Sequence, residues 1–122
     1  MSEIIMHYKG KYPSIPFDCF IAPNAAIIGN VKIGNKTGIW FGCVIRADVE
    51  YVKIGANTNI QDGSIIHVTR NGHPTIIGDN VTIGHRALIH GAKIESTSFI
   101  GMGATILDDA IIETGGMVAA GS

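Results

Sequence analysis

The chain has 122 residues, of which 46% are hydrophobic and 16% are charged, and its formal net charge is −1. This composition predicts a single folded domain over residues 1–122 and excludes a disordered or polyelectrolyte chain. The nine Lys and Arg residues are scattered, so there is no basic stripe for a nucleic-acid partner.

The N-terminal segment has neither the apolar run of a secretory signal nor a stretch of about 20 apolar residues that could span a bilayer. The two cysteines, Cys19 and Cys43, are too few for a disulfide framework. We therefore expect a cytoplasmic protein with no membrane partner.

Aliphatic residues recur at nearly every sixth position along the chain. The fourteen in-phase residues are Ile33, Ile39, Ile45, Ile54, Ile60, Ile66, Ile77, Ile83, Ile89, Ile94, Ile100, Ile106, Ile112 and Val118. A period of six is typical of a short strand followed by a tight turn, and three such units close one coil of a triangular solenoid. The pattern predicts an all-β solenoid and disfavours a β-sandwich.

This repeat resembles that of the hexapeptide-repeat proteins, and the resemblance implies a left-handed parallel β-helix. Relatives of this kind continue into a C-terminal helix, whereas this chain stops in phase at Gly121-Ser122 with no polar cap. We therefore expect a chain truncated at its C-terminus that lacks the helix. Trp40 and Phe41 are expected to pack against that helix or against a trimer interface.

Breaks in the period locate insertions. The step from Ile45 to Ile54 is three residues too long, which predicts an outward bulge at residues 50–52. The step from Ile66 to Ile77 is five too long, and residues 70–75 contain the Gly and Pro of a turn.

The same phase aligns the polar residues. His67 and His90 are 23 positions apart, and removing the five inserted residues leaves 18, or one coil. They should therefore stack at the strand spacing of roughly 4.8 Å, with Arg46 one coil beyond. Asp62 and His85 form a second column, with Gln61 beside it.

Three neutral imidazoles around an open position are the ligand set of a catalytic zinc site. His85 is too far along the chain to join His67 and His90 within one subunit, but a neighbouring subunit in a three-fold ring could supply it. Taken alone, each histidine would be an ordinary surface or interface residue.

The ordered set of motifs resembles the γ-class carbonic anhydrases: R-A-D at 46–48, N-I-Q-D at 59–62, His67, and H-x4-H at 85–90. The resemblance implies a homotrimer with metal sites shared between subunits. His67, His85 and His90 would bind zinc, with iron or cobalt as alternatives. The implied activity is that of a lyase, the reversible hydration of carbon dioxide to bicarbonate.

The resemblance also implies supporting roles. Gln61 would orient the attacking hydroxide, and Asp62 would accept or pass a proton. Arg46 and Asp48 would pair across the subunit boundary, and Asn59 would be a supporting hydrogen-bond donor.

Two departures from that family concern proton transfer. The residues after His67 include no carboxylate, and Val49 stands where active members have a glutamate. His73 could replace the missing shuttle or be a solvated loop residue. Other functions that the sequence allows are a hexapeptide-repeat acyltransferase or thioesterase acting on acyl-coenzyme A, and a non-catalytic protein that binds a metal or an iron complex.

Overall fold

The computed structural model describes residues 4–122, and within this range it contains β-strands and no helix. In chain order the strands are β1 (Ile4–Met6), β2 (Phe20–Ile21), β3 (Ala26–Ile33), β4 (Gly38–Ile39), β5 (Val44–Ile54), β6 (Asn59–Ile60), β7 (Ile65–His67), β8 (Thr75–Ile77), β9 (Thr82–Ile83), β10 (Leu88–His90), β11 (Lys93–Ile94), β12 (Phe99–Ile100), β13 (Thr105–Ile106), β14 (Ile111–Ile112) and β15 (Met117–Val118). The predicted all-β class is confirmed. Nothing in this range forms a helix able to cross a membrane.

Every ladder between these strands is parallel and joins one coil to the next. One sheet has six strands, in the order β15-β12-β9-β6-β4-β2, and we call it the second face. The other sheet bends at β5, whose first part pairs with β7 and whose last part pairs with β8. It thereby supplies the first face (β8, β11, β14) and the third face (β7, β10, β13). The predicted parallel β-helix is confirmed.

A stack of isoleucines fills the interior. The largest side chains that are less than 2% exposed include Ile27, Ile39, Ile45, Ile54, Ile60, Ile66, Ile77, Ile83, Ile89, Ile94 and Ile100. In-phase residues are register partners, so Ile39 pairs with Ile60 and Ile60 with Ile83. Removal of this apolar surface from water is the main force that stabilises the solenoid.

Buried hydroxyl groups at the corners are satisfied by the adjacent coil. Thr37 Oγ1 donates to the Gly55 carbonyl at 2.7 Å, and Ser64 Oγ donates to the Gly84 carbonyl at 2.8 Å. These bonds offset the cost of burying polar groups. The small in-phase residues therefore tie coils together as well as fitting the narrow corners.

The first insertion is a bulge in β5 at residues 48–51. Gly29 pairs with Ala47 and Val31 pairs with Val52, so four residues of β5 lie opposite Asn30 alone. The predicted bulge at 50–52 was therefore wrong at its last residue, because Val52 is buried in the core at 1% exposure. Gly29 has a φ of 84°, and a Cβ there would lie 2.1 Å from the Ala47 oxygen, so only glycine fits.

The second insertion is a loop at residues 68–74 between β7 and β8. Thr69 and His73 form an antiparallel bridge across it. Asn71 and Gly72 have φ values of 65° and 99°, which these two residue types tolerate better than others. The predicted turn at this break in the period is confirmed.

Trp40 and Phe41 lie on the outside of the second face beside Phe20. The ring centroids of Phe20 and Trp40 are 4.7 Å apart. Trp40 is 37% exposed and Phe41 is 46% exposed in the single chain. Their packing against a helix or another subunit stays a prediction.

Replacement of a central isoleucine should cost far more than replacement of a peripheral one. Ile60→Ala should lower the free energy of unfolding by about 2–5 kcal/mol, because Ile60 is fully buried between two coils. Ile111→Ala should change it by less than about 0.5 kcal/mol, because Ile111 is 60% exposed. Urea unfolding followed by circular dichroism checks both, and equal losses would contradict the burial pattern.

Candidate metal centre

His67 and His90 lie side by side at the ends of β7 and β10. They are register partners, because Ile66 and Ile89 point inward and the next residue on each strand points outward. His67 Nδ1 is 3.1 Å from His90 Nε2. The ring centroids are 5.0 Å apart and the rings meet edge to face. The stacking predicted from their spacing is present.

A carboxylate contacts the outer nitrogen of each ring. His67 Nε2 is 2.9 Å from Asp48 Oδ1, and His90 Nδ1 is 2.8 Å from Asp108 Oδ1. A carboxylate accepts the ring proton, so in a neutral imidazole the inner nitrogen keeps a lone pair. Metal-binding histidines characteristically have this carboxylate support. The donor set of the pair therefore fits a divalent metal ion.

Arg46 supports the same network from the adjacent coil. Its guanidinium Nη1 contacts Asp48 Oδ2, and the two residues are in the same chain. Within one chain Arg46 and Asp48 therefore pair with each other, and their expected pairing across a subunit boundary stays a prediction. The two residues lie on the same side of β5 because they are two positions apart on one strand.

Asp48 stays ionised over a wide pH range. Burial by itself raises the pKa of its carboxyl, but hydrogen bonds from His67 and Arg46 outweigh burial and lower the pKa to about 2. Asp48 is therefore an anion at neutral pH and can accept the His67 proton throughout that range.

His85 and Asp62 lie at the corner between the second and third faces, in the turns that follow β9 and β6. These two strands are adjacent, and His85 Nδ1 is 3.3 Å from Asp62 Oδ1. Gln61 and His85 line a groove of about 300 Å³ with Phe99, Met102 and Met117. The predicted column of Asp62 and His85 is present, with Gln61 beside it.

The structure does not assemble the three histidines within one chain. Among residues 4–122, no three His, Cys, Asp or Glu side chains are arranged to hold a metal ion. His85 is also half-exposed, with 47% of its side chain accessible. A three-histidine site would therefore require His85 from another copy of the chain.

Asn59 begins β6 on the second face and lines a separate groove with Phe20 and Trp40. Its Oδ1 atom is buried without a hydrogen-bond partner, and it is the one such side-chain atom in the part of the chain that the structure describes. An unpaired buried acceptor is costly in a folded protein. Asn59 thus carries an unmet hydrogen bond and makes no hydrogen bond to the histidines within the chain.

Asp108 is a site residue that the sequence analysis missed. The hydrogen bond from His90, followed by that from Thr69, lowers the pKa of its carboxyl. The β10–β13 register places Leu107 one coil after His90, with Asp108 next along the chain. A search for carboxylates about 18 residues from each histidine would have found it.

Four similarities bear on the family. The bacterial transferase hexapeptide family (six repeats) matches residues 12–47. Gamma carbonic anhydrase 1, mitochondrial, of Arabidopsis thaliana is 51% identical, over 97% of this chain and 45% of that protein. A carbonic anhydrase of Geobacillus kaustophilus is 48% identical, over 92% of this chain and 61% of that protein. The solved structure of a hexapeptide transferase family protein from Anaplasma phagocytophilum has a TM-score of 0.82 and 36% identity, over 97% of this chain and 76% of that one.

The stacked parallel coils and the isoleucine column define a hexapeptide-repeat β-helix. With these similarities, the chain belongs to the γ-carbonic-anhydrase-like family of hexapeptide-repeat proteins. It spans about half the length of the curated relatives it matches.

Asp48 should stabilise the fold in a pH-dependent way. Its pKa is lower in the folded protein than the ordinary value near 4, so the stabilisation is complete above about pH 4 and is lost as the pH falls toward 2. We expect Asp48→Asn to lower the urea midpoint of chelator-treated protein at pH 7 and to have little effect at pH 2. The exposed Glu113→Gln is the control, and a deficit independent of pH would contradict the role of the ionised carboxylate.

Proposed function

We propose that the chain is a γ-carbonic-anhydrase-like metalloprotein that catalyses the reversible hydration of carbon dioxide to bicarbonate. The observation that carries the proposal is the pairing of three histidines with three carboxylates. Asp48, Asp62 and Asp108 each contact one ring nitrogen of a histidine, and in His67 and His90 the remaining nitrogens face each other.

The metal centre would use His67 and His90 of one subunit and His85 of the next. This arrangement requires a ring of copies with unlike surfaces in contact, so we propose a homotrimer with one shared site at each interface. Zinc fits three imidazoles best, and iron or cobalt would also fit the donor set. When bound, the ion would act as a Lewis acid that makes hydroxide available near neutral pH.

The remaining residues would orient the reactants. Gln61 is adjacent to the His85 column, where its side-chain amide can hydrogen-bond an attacking hydroxide and exclude other orientations. Asp62 would hold His85 through Nδ1 and could accept a proton. Arg46 and Asp48 would hold His67 in its orientation. Asn59 would find its missing donor on the neighbouring subunit.

A second candidate is transfer or hydrolysis of an acyl group from acyl-coenzyme A. The groove beside His85 favours it, because Phe99, Met102 and Met117 supply apolar walls suited to an acyl chain. That reaction needs a single histidine as general base, so it leaves the carboxylate-supported pair of His67 and His90 unexplained. A non-catalytic metal or iron-complex carrier would use the same ligands without turnover.

We retain the cytoplasm as the proposed location.

The shared site predicts a specific loss of metal on substitution at His85. Wild-type protein should carry about one metal ion per chain in a trimer and hydrate carbon dioxide. His85→Ala should lose the metal, and its activity should fall by about 100-fold or more, because one of three ligands is gone. Metal analysis, native mass spectrometry and a stopped-flow indicator assay measure these quantities.

The matched control is His7→Ala, whose imidazole stacks on Tyr12 outside the site. It should keep both metal and activity. If the wild-type trimer contains no metal and His85→Ala does not change it, the carbonic anhydrase proposal is wrong and acyl transfer is favoured. A metal-loaded protein without hydration activity would favour the carrier.

Asp108 should strengthen metal binding without being a ligand. Asp108→Asn removes the anionic acceptor on His90 Nδ1, and loss of such support typically weakens metal affinity by about 10–100-fold. Competition with a chromogenic chelator measures the affinity, with Glu113→Gln as the control. Equal metal affinity in Asp108→Asn and Glu113→Gln would show that Asp108 does not support the metal centre.

A further inference from the structure

The loop at residues 68–74 contains no carboxylate, but carboxylates from other elements hold it on both sides. Glu50 Oε2, on the bulge of β5, accepts the Gly72 N–H at 3.0 Å. Asp109, in the turn after β13, lies 2.8 Å from His73 Nδ1. Glu50 and Asp109 therefore place two carboxylates beside a loop whose own sequence contains none.

The contact with Asp109 selects one tautomer of His73. A carboxylate oxygen can only accept, so Nδ1 carries the ring proton and donates it. Nε2 is then left with a lone pair, and the His73 side chain is 32% exposed. The bridge between Thr69 and His73 fixes the backbone of the loop at this residue. His73 is therefore an oriented, accessible base.

His73 also lies close to the metal-centre network. Asp108 is the next residue to Asp109 and hydrogen-bonds both His90 and Thr69. The charge of a protonated His73 acts on the Asp108 carboxyl as well. The His73 imidazole is thus within electrostatic reach of the carboxylate that supports His90. Other charged groups near this loop are Glu50, which bonds Gly72, and Arg70 on the loop itself. Lys93 on β11 lines a groove with Pro74 and Asp109.

We propose that His73, oriented by Asp109, is the proton-transfer residue of this site. The inference rests on the proposed function, since hydration releases one proton for every bicarbonate formed. His73 Nε2 accepts that proton through solvent while the Nδ1 proton stays in the bond to Asp109. The imidazolium then gives its Nε2 proton to a buffer base and returns to the neutral form. Asp109 is a positioning residue that stabilises the transient cation.

Histidine suits this task because its ordinary pKa lies near neutrality, so that proton uptake and release are both fast. The alternative is a latch, in which His73 and Asp109 only hold the loop in place. Loss of a proton relay would slow only the step in which the proton leaves the site. Loss of a latch would instead impair every step of the reaction and metal binding together. The two roles therefore differ in their kinetic signature.

The first test compares His73→Ala with Arg70→Gln, an exposed neighbour on the same loop. In dilute buffer, His73→Ala should lower kcat on the order of 100-fold and leave kcat/KM within about twofold, because only proton export is slowed. Imidazole added to the assay should restore kcat in a concentration-dependent manner. Asp109→Asn should give a smaller loss, and Arg70→Gln should behave as the wild type.

The second test needs neither metal nor turnover. Long-range proton–nitrogen NMR spectra of chelator-treated protein should show His73 with its proton on Nδ1, and Asp109→Asn should shift the tautomer toward Nε2. A His73 with mixed tautomers in the wild type would overturn the positioning by Asp109.

The kinetic outcomes separate the two proposals. If the wild type is active and His73→Ala has the same kcat, the relay proposal is wrong, but the proposed hydration function is unaffected. Parallel loss of kcat, kcat/KM and metal, without rescue by imidazole, would identify a latch. A metal-loaded wild type with no hydration activity would end the proposed function and the relay with it.

Discussion

The register between successive coils is the constraint on which the rest of this molecule depends. Each coil pairs its backbone with the next, and the isoleucines must stack in the interior for the apolar core to close. A residue one coil away in sequence therefore becomes a near neighbour in space. Insertions are tolerated only outside the stack, as the bulge at 48–51 and the loop at 68–74 illustrate, because a shift of the core by one residue would turn isoleucines outward.

The same register concentrates polar residues at the corner between the third and first faces. There the bulge, the loop and the turn after β13 lie together, although 60 positions of sequence separate Asp48 from Asp108. The carboxylates orient His67 and His90 so that His67 Nδ1 and His90 Nε2 face each other at 3.1 Å. The network is built for orientation more than for stability, since ion pairs near the surface contribute little to folding.

The turn between β9 and β10 divides the candidate centre, because His85 lies in that turn and His90 lies at the far end of β10. His67 and His90 follow inward isoleucines of the third face, whereas His85 comes after Ile83 on the second. A rigid solenoid keeps these columns apart, so the proposed three-histidine site would have to be formed between chains. Assembly and catalysis would then be coupled, because the protomer alone supplies only part of the proposed ligand set.

The period of six was sufficient by itself to determine the all-β solenoid, its coil length and the columns of His67 with His90 and Asp62 with His85. Those features follow from register alone, which is a property of sequence spacing. Only the tertiary structure decided that the bulge covers 48–51, that Arg46 pairs with Asp48 within one chain, and that Asp108 and Asp109 reach His90 and His73. The physical reason is that these contacts depend on loop conformation and side-chain reach, which no repeat period encodes.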